Sequence, residues 1–243
     1  MPKRNLVRLL TYNIHGCIGT NGQYDFRPIL DLLNHCAADV VALQEVYDET
    51  DKQRQFLAAL HESAYPHVAY GPTLHHPERG DYGNVLLSKW PLKNLQRIDL
   101  SVPGREPRGA IRATIEMPSL KLDLTATHLG LSRTERNLQL AILFKRWGNA
   151  FHRASLRRPL VLMGDLNEWL PRSSILSKLE NRFGATASFR SFPSTFPLFS
   201  LDHIFARPRG IVQTIGTEQS EPFRYASDHL PLVAELAPRR WVV

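Results

Sequence analysis

Apolar residues fall in short runs bounded by turn residues, and most of these runs predict strands. They are "LVRLLTYN" at 6–13, "DVVALQEV" at 39–46, "GNVLLSKW" at 83–90, "AIRATIEM" at 110–117 and "KLDLTATHL" at 121–129. "PLVLMGDLN" at 159–167, "LDHIFA" at 201–206 and "LPLVAEL" at 230–236 complete the set. "AIRATIEM" and "KLDLTATH" alternate apolar with polar, the pattern of half-buried antiparallel strands. "VVAL" and "LVLM" do not alternate, so both of their faces are expected to be covered.

Helical spacing appears between these runs. In "FRPILDLLNHC" Phe26, Ile29, Leu30, Leu33 and Cys36 share a face, with Pro28 in the first turn. "KQRQFLAALHES" and "SSILSKLEN" predict two more helices. "SRTERNLQLAILFKRWGNAF" is the clearest. Ser132 and Glu135 make a capping-box pair, and Leu140, Phe144, Trp147 and Phe151 keep helical spacing. Several strand pairs are joined by short links, which argues against a purely parallel barrel. The pattern predicts an α/β protein with mixed sheets packed face to face and helices outside.

The apolar strands end repeatedly on polar residues of one kind. Asn13 and Glu45 follow the first two, His128 ends "LTATH", and Asp165 and Asn167 end "VLMGDLN". Asp202 opens "DHIFA", and Asp228 and His229 precede the last strand. Singly, each has a plain structural reading: a turn Asn, a solvated loop acid, a core histidine, a cap. Together they place carboxylates, carboxamides and imidazoles at strand termini. Oxygen donors from Asp, Glu and Asn suit a hard cation such as Mg²⁺ or Mn²⁺. Imidazoles beside it can donate to phosphate oxygens or move protons. The combination specifies metal-assisted attack of water on a phosphoester.

Composition changes this picture little. The 243 residues include 43% hydrophobic and 22% charged residues and carry a formal charge of +7, which favours anionic partners. No apolar run reaches the roughly 20 residues needed to span a bilayer, and no repeat or low-complexity linker divides residues 1–243, so one domain is expected. The N-terminal segment does not resemble a secretory signal. Cys17 and Cys36 are expected as buried free thiols, which fits a reducing cytoplasm. No sustained heptad is present, and a monomer without an obligate protein partner is expected.

The motifs "LTYNIHG", "ALQEV", "GNVLLS", "THLG", "GDLNEW", "LDHIFA" and "SDHLPL" resemble, in order, those of the endonuclease/exonuclease/phosphatase superfamily with the DNase I-like fold. The resemblance runs from about residue 6 to 237, and "TFPLFSLD" is similar to a stretch in small bacterial members. It implies a four-layer α/β sandwich of two mixed, mostly antiparallel sheets with the site at one rim. It implies that Glu45 binds the divalent metal with Asn13 beside it and Asp228 near. Asp165 would orient or deprotonate the attacking water, and Asn167 would fix the water or the phosphate. His229, oriented by Asp202, would stabilise the transition state. His128 would contact the phosphate or assist the leaving oxygen, at a position where the family varies. Arg108, in "EPRGAIRA", is a candidate phosphate fork, with a solvated loop arginine as the alternative. Asn84 is a candidate cleft residue, with a turn role beside Gly83 as the alternative.

The expected activity is that of a metal-dependent phosphodiesterase on nucleic acid, a lipid headgroup or a small metabolite. A location peripheral to a membrane is an alternative to a freely cytoplasmic one. A phosphate-binding module without turnover is the reading from a different class. Phe192, Phe196 and Phe199 could wall a lipid or stack on a base, but are expected chiefly as core.

Overall fold

The computed structural model describes residues 6–48, 50–76, 80–118, 120–148 and 158–237. Among these residues, eleven strands form two sheets. The first has the order β10-β11-β1-β2-β4-β3, built from β10 (Val212–Thr217), β11 (Leu232–Leu236), β1 (Val7–Asn13), β2 (Val40–Asp48), β4 (Gly80–Ser88) and β3 (His67–His76). The second has the order β5-β6-β7-β8-β9, from β5 (Leu92–Asp99), β6 (Gly109–Met117), β7 (Leu120–His128), β8 (Leu160–Asp165) and β9 (Asp202–Arg207). Only β1·β2 and β7·β8 pair in parallel; the other ladders are antiparallel.

The unbroken apolar runs of β2 and β8 are explained by cover on both faces. Val40 and Ala42 face the second sheet, while Val41 and Leu43 face α1 (Arg27–Cys36) and α2 (Asp51–His61). Val161 and Met163 face the first sheet, while Leu160 and Leu162 pack on α3 (Arg133–Trp147) and α4 (Ser174–Phe183). The layers therefore run helices, six strands, five strands, helices, the expected four-layer sandwich. Alanines 42, 69, 113, 126, 206 and 234 belong to the cluster between the sheets, where small side chains let the two backbones approach.

Helix boundaries follow the capping chemistry. Ser132 accepts from the Glu135 N–H, as its pattern predicts, and Thr50 with Gln53 makes a second capping box. The expected extension of α3 to Phe151 lies outside the described residues. The polar face of β7 is covered toward its C-terminal end, where alternation suggested solvent. Thr125 and Thr127 are buried there, and the Trp147 indole donates to Thr125 Oγ1 at 2.9 Å.

Three strands have no clear signature in the sequence, and all are sheet edges: β3, β5 and β10. Strand β3 holds Gly71-Pro72 at a register shift, which reads as a turn. Most of β5 is exposed and polar. An edge strand needs neither continuous nor strictly alternating apolar residues, so periodicity passes over it.

Two further expectations are corrected. Glu45 does not end its strand; β2 continues to Asp48 past a bulge at which the register shifts between Leu43 and Val46. Phe196 and Phe199 are not core. They lie on a short exposed hairpin, residues 192–199, closed by the Phe192–Phe199 bridge.

Gly164 sits one residue before Asp165 with φ +146°, and a Cβ there would lie 1.8 Å from the Thr127 carbonyl oxygen. Strand β8 can approach β7 this closely only with glycine at that position. Gly164→Ala is therefore expected to lower the unfolding free energy by about 3 kcal/mol, read from the shift of a urea denaturation midpoint. An unshifted midpoint would contradict this account.

Candidate active site

Strand register gathers the predicted residues. His128, Asp165 and Asp202 are direct neighbours across β7, β8 and β9. Asn13, at the end of β1, reaches this row from the other sheet, and its Nδ2 donates to Glu45 Oε1 at 3.0 Å and to Asp165 Oδ2 at 3.1 Å. Its Oδ1 accepts from the His15 N–H at 3.1 Å, which fixes the amide orientation. Asn13 thus bridges two carboxylates instead of presenting its oxygen between them. The bulge turns Glu45 (φ +57°) out of the strand's alternation, and the carboxylate is half-buried. Asp228 is nearby through Ser227: Ser227 Oγ donates to the Asn13 carbonyl at 2.8 Å and lies 3.3 Å from Asp228 Oδ1.

The imidazole side is more enclosed. His229 Nδ1 lies 2.8 Å from Asp202 Oδ2, and its Nε2 lies 3.8 Å from Asp165 Oδ2. Ser191 Oγ donates to the same Asp202 oxygen at 2.6 Å. Burial works against charge on His229, but Asp202 and Asp165 outweigh it and raise its pKa to about 10. The ring is therefore a cation at neutral pH, with Nδ1–H on Asp202. Burial pushes the Asp165 carboxyl up to about 7; Asp202 adds to this, and His229, Asn13 and the Asn167 N–H oppose it.

His128 is held neutral, its pKa far below the usual imidazole range because of burial and the cations Arg108 and His229. Arg108 Nη1 is 3.2 Å from His128 Nδ1. A guanidinium can only donate, so Nδ1 stands as an acceptor toward Arg108, while Nε2 lies 3.5 Å from Asp165 Oδ2. Asn167 adopts φ +50°, accessible to an Asn. Its N–H donates to Asp165 Oδ1 at 2.8 Å, and its Nδ2 donates to the Leu129 carbonyl at 2.9 Å and lies 3.0 Å from His128 Nε2.

Arg108 is buried, not a solvated loop residue. It bonds Tyr82 OH at 3.2 Å and Glu106 at 3.0 Å, while its Nε has no hydrogen-bond partner among the described residues. Asn84 is not a turn residue. It lies within β4 opposite the bulge, and its Nδ2 donates to the Gly109 carbonyl of the other sheet at 3.1 Å. That bond ties the two sheets together.

Two positions could hold a cation. Ligand atoms of Asp165, Asp202 and His229 lie within 4.8 Å of one another. In that trio, however, His229 Nδ1 and Asp202 Oδ2 already bond each other, and all three residues are buried. Glu45, half-buried and bonded to Asn13, and the part-exposed Asp228 carboxylate are the oxygen donors at the more open edge, the donor chemistry a hard cation takes.

Sequence reasoning did not find Ser191, Ser227, Tyr82 or Glu168. A serine under a carboxylate leaves no periodic trace. Glu168 stands inside "GDLNEW" and pairs with buried Arg136 at 3.4 Å. Phe192 lies with its ring centroid 4.9 Å from that of His229, and Trp169 packs on both Phe192 and Phe199.

The model of the Endonuclease/Exonuclease/phosphatase family matches residues 10–229, from β1 to the last site histidine. The uncharacterized protein YbhP of Escherichia coli K12 is 30% identical over 252 residues, 94% of this chain and 95% of that protein. The crystal structure of an endonuclease/exonuclease/phosphatase from Beutenbergia cavernae is similar with a TM-score of 0.73 at 25% identity, covering 96% of this chain and 71% of that one. D. rerio TDP2 complexed with single strand DNA product shares the fold with a TM-score of 0.69 at 18% identity, over 95% and 98% of the two chains. With the family match spanning nearly every strand and the whole site, the chain belongs to the endonuclease/exonuclease/phosphatase family.

Proposed function

We propose that the protein is a single-domain, divalent-metal-dependent phosphodiester hydrolase. One observation carries this reading: a single Asn13 amide joins Glu45 to Asp165, and the same Asp165 oxygen faces both His128 and His229. An oxygen-donor half and an imidazole half thus share one carboxylate.

Glu45, with Asn13 beside it and Asp228 near, would hold Mg²⁺ or Mn²⁺. Such a cation supplies neutralisation of phosphate charge and polarises the scissile ester. Asp165 takes the proton of the attacking water, a task suited to a carboxylate titrating near neutrality. Asn167, fixed by Leu129 and Asp165, orients the water or a phosphate oxygen. His229 donates from Nε2 to a nonbridging oxygen, which carries more negative charge in the transition state than in the ground state. Asp202 and Ser191 hold that ring in place. His128 and the buried Arg108 cation behind it border the phosphate and the leaving oxygen.

A nuclease is the reading that the TDP2 complex with DNA favours. A binding module would keep the same residues without turnover. Hydrolysis of bis-(p-nitrophenyl) phosphate with Mg²⁺ or Mn²⁺ is the test. Chromophore release that EDTA abolishes and re-added metal restores is expected. Absence of release with every metal, alongside tight phosphate-ester binding, would replace the enzyme by the module.

A further inference from the structure

Large apolar side chains are exposed in one place where the structure gives a reason to ask what covers them. Leu131 is 63% exposed, Leu170 59%, Phe196 70% and Leu198 48%. Each sits on a loop that springs from a site residue. Leu131 follows His128, Leu170 follows Asn167, and the hairpin with Phe196 and Leu198 precedes Asp202. That hairpin is also tied to Asp228, whose carbonyl accepts from the Ser194 N–H at 2.7 Å.

The loops are held, not loose. Arg136 donates to the Leu131 carbonyl and pairs with Glu168, whose Oε1 accepts from the Leu170 N–H at 3.2 Å. Trp169 and Phe199 stack edge-on between the second loop and the hairpin, their centroids 5.0 Å apart. Exposed arginines stand two residues from these elements: Arg133 beyond Leu131, Arg172 beyond Leu170 and Arg190 before Phe192.

We propose that these apolar tips with their arginine shoulders seat the protein on an anionic phospholipid surface, bringing headgroup phosphodiesters to His229. Apolar tips beside cations are the chemistry of an interfacial anchor: the tips enter the acyl boundary and the guanidiniums meet lipid phosphate. The net charge of +7 acts in the same direction. Single-stranded nucleic acid is the weaker match, because base stacking needs rings and three of the four most exposed tips, Leu131, Leu170 and Leu198, have none. No helix among the described residues is long and apolar enough to cross a membrane. The headgroup assignment rests on the hydrolase reading; the surface itself does not.

The test is co-sedimentation of the full chain, in EDTA, with extruded vesicles of phosphatidylglycerol and phosphatidylcholine or of phosphatidylcholine alone. Binding that favours the anionic vesicles is expected. Leu170→Ser/Phe196→Ser/Leu198→Ser should weaken it by roughly tenfold or more, and Phe196→Ser alone by a smaller factor, with thermal melts confirming that both fold. Failure of the wild type to sediment, or unchanged binding by the triple variant, overturns the proposal. So does a loss confined to oligothymidylate binding, which would hand the surface to nucleic acid. Vesicle binding without any diester hydrolysis would sink the hydrolase reading and leave this surface standing. Hydrolysis without vesicle binding would do the reverse.

Discussion

Replacing His229 by Ala is expected to lower kcat on bis-(p-nitrophenyl) phosphate by about 10²–10³-fold with little change in KM. The reason is that its Nε2–H acts on charge that develops only in the transition state, and removing one such donor costs about 2.7–4 kcal/mol of barrier. The ring is prepared for this before substrate arrives: Asp202 accepts from Nδ1 at 2.8 Å and Ser191 steadies Asp202. The substitution also leaves two buried carboxylates without their shared cation, so His229→Gln belongs beside it, with circular dichroism to confirm the native fold. A folded variant retaining a tenth or more of the wild-type rate would remove His229 from the chemistry.

Glu45→Gln is expected to lose about a hundredfold in rate at a fixed, subsaturating Mg²⁺ concentration, and to need more metal for half-maximal rate. The change keeps side-chain volume and an oxygen for the Asn13 amide, and removes the charge. Glu45 is half-buried, so no uncompensated charge is created in the interior. This measurement separates the two candidate cation positions. If metal dependence were unchanged, the ion would belong to the Asp165, Asp202 and His229 trio, and His229 could not be the phosphate donor described above.

Central strands were legible because burial on both faces forces continuous apolar runs, and helices because caps and spacing agree. Strands β3, β5 and β10 escaped because one side of an edge strand meets no partner and its residues answer to solvent. The candidate site was legible wherever one of its residues ended an apolar strand, as Asn13, His128 and Asp165 do. It was obscured at Glu45, where the bulge adds a residue that no two-fold pattern contains. Arg108 was ambiguous because its burial comes from Tyr82 and His128, which are 26 and 20 positions away. The 192–199 hairpin misled for the opposite reason: its phenylalanines look like interior residues, yet Phe196 and Phe199 point outward while Phe192 turns in against His229.

Asn13 and Glu45 belong to one sheet and His128, Asp165 and Asp202 to the other, so the candidate site straddles the seam of the sandwich. Its working dimensions are set by how thick that seam is, and the six interlayer alanines set the thickness. A bulkier residue at Ala42 or Ala126, far from any phosphate, would act as a shim. It would part the metal-side residues from the imidazoles by a fraction of an ångström, and turnover would suffer well before folding did.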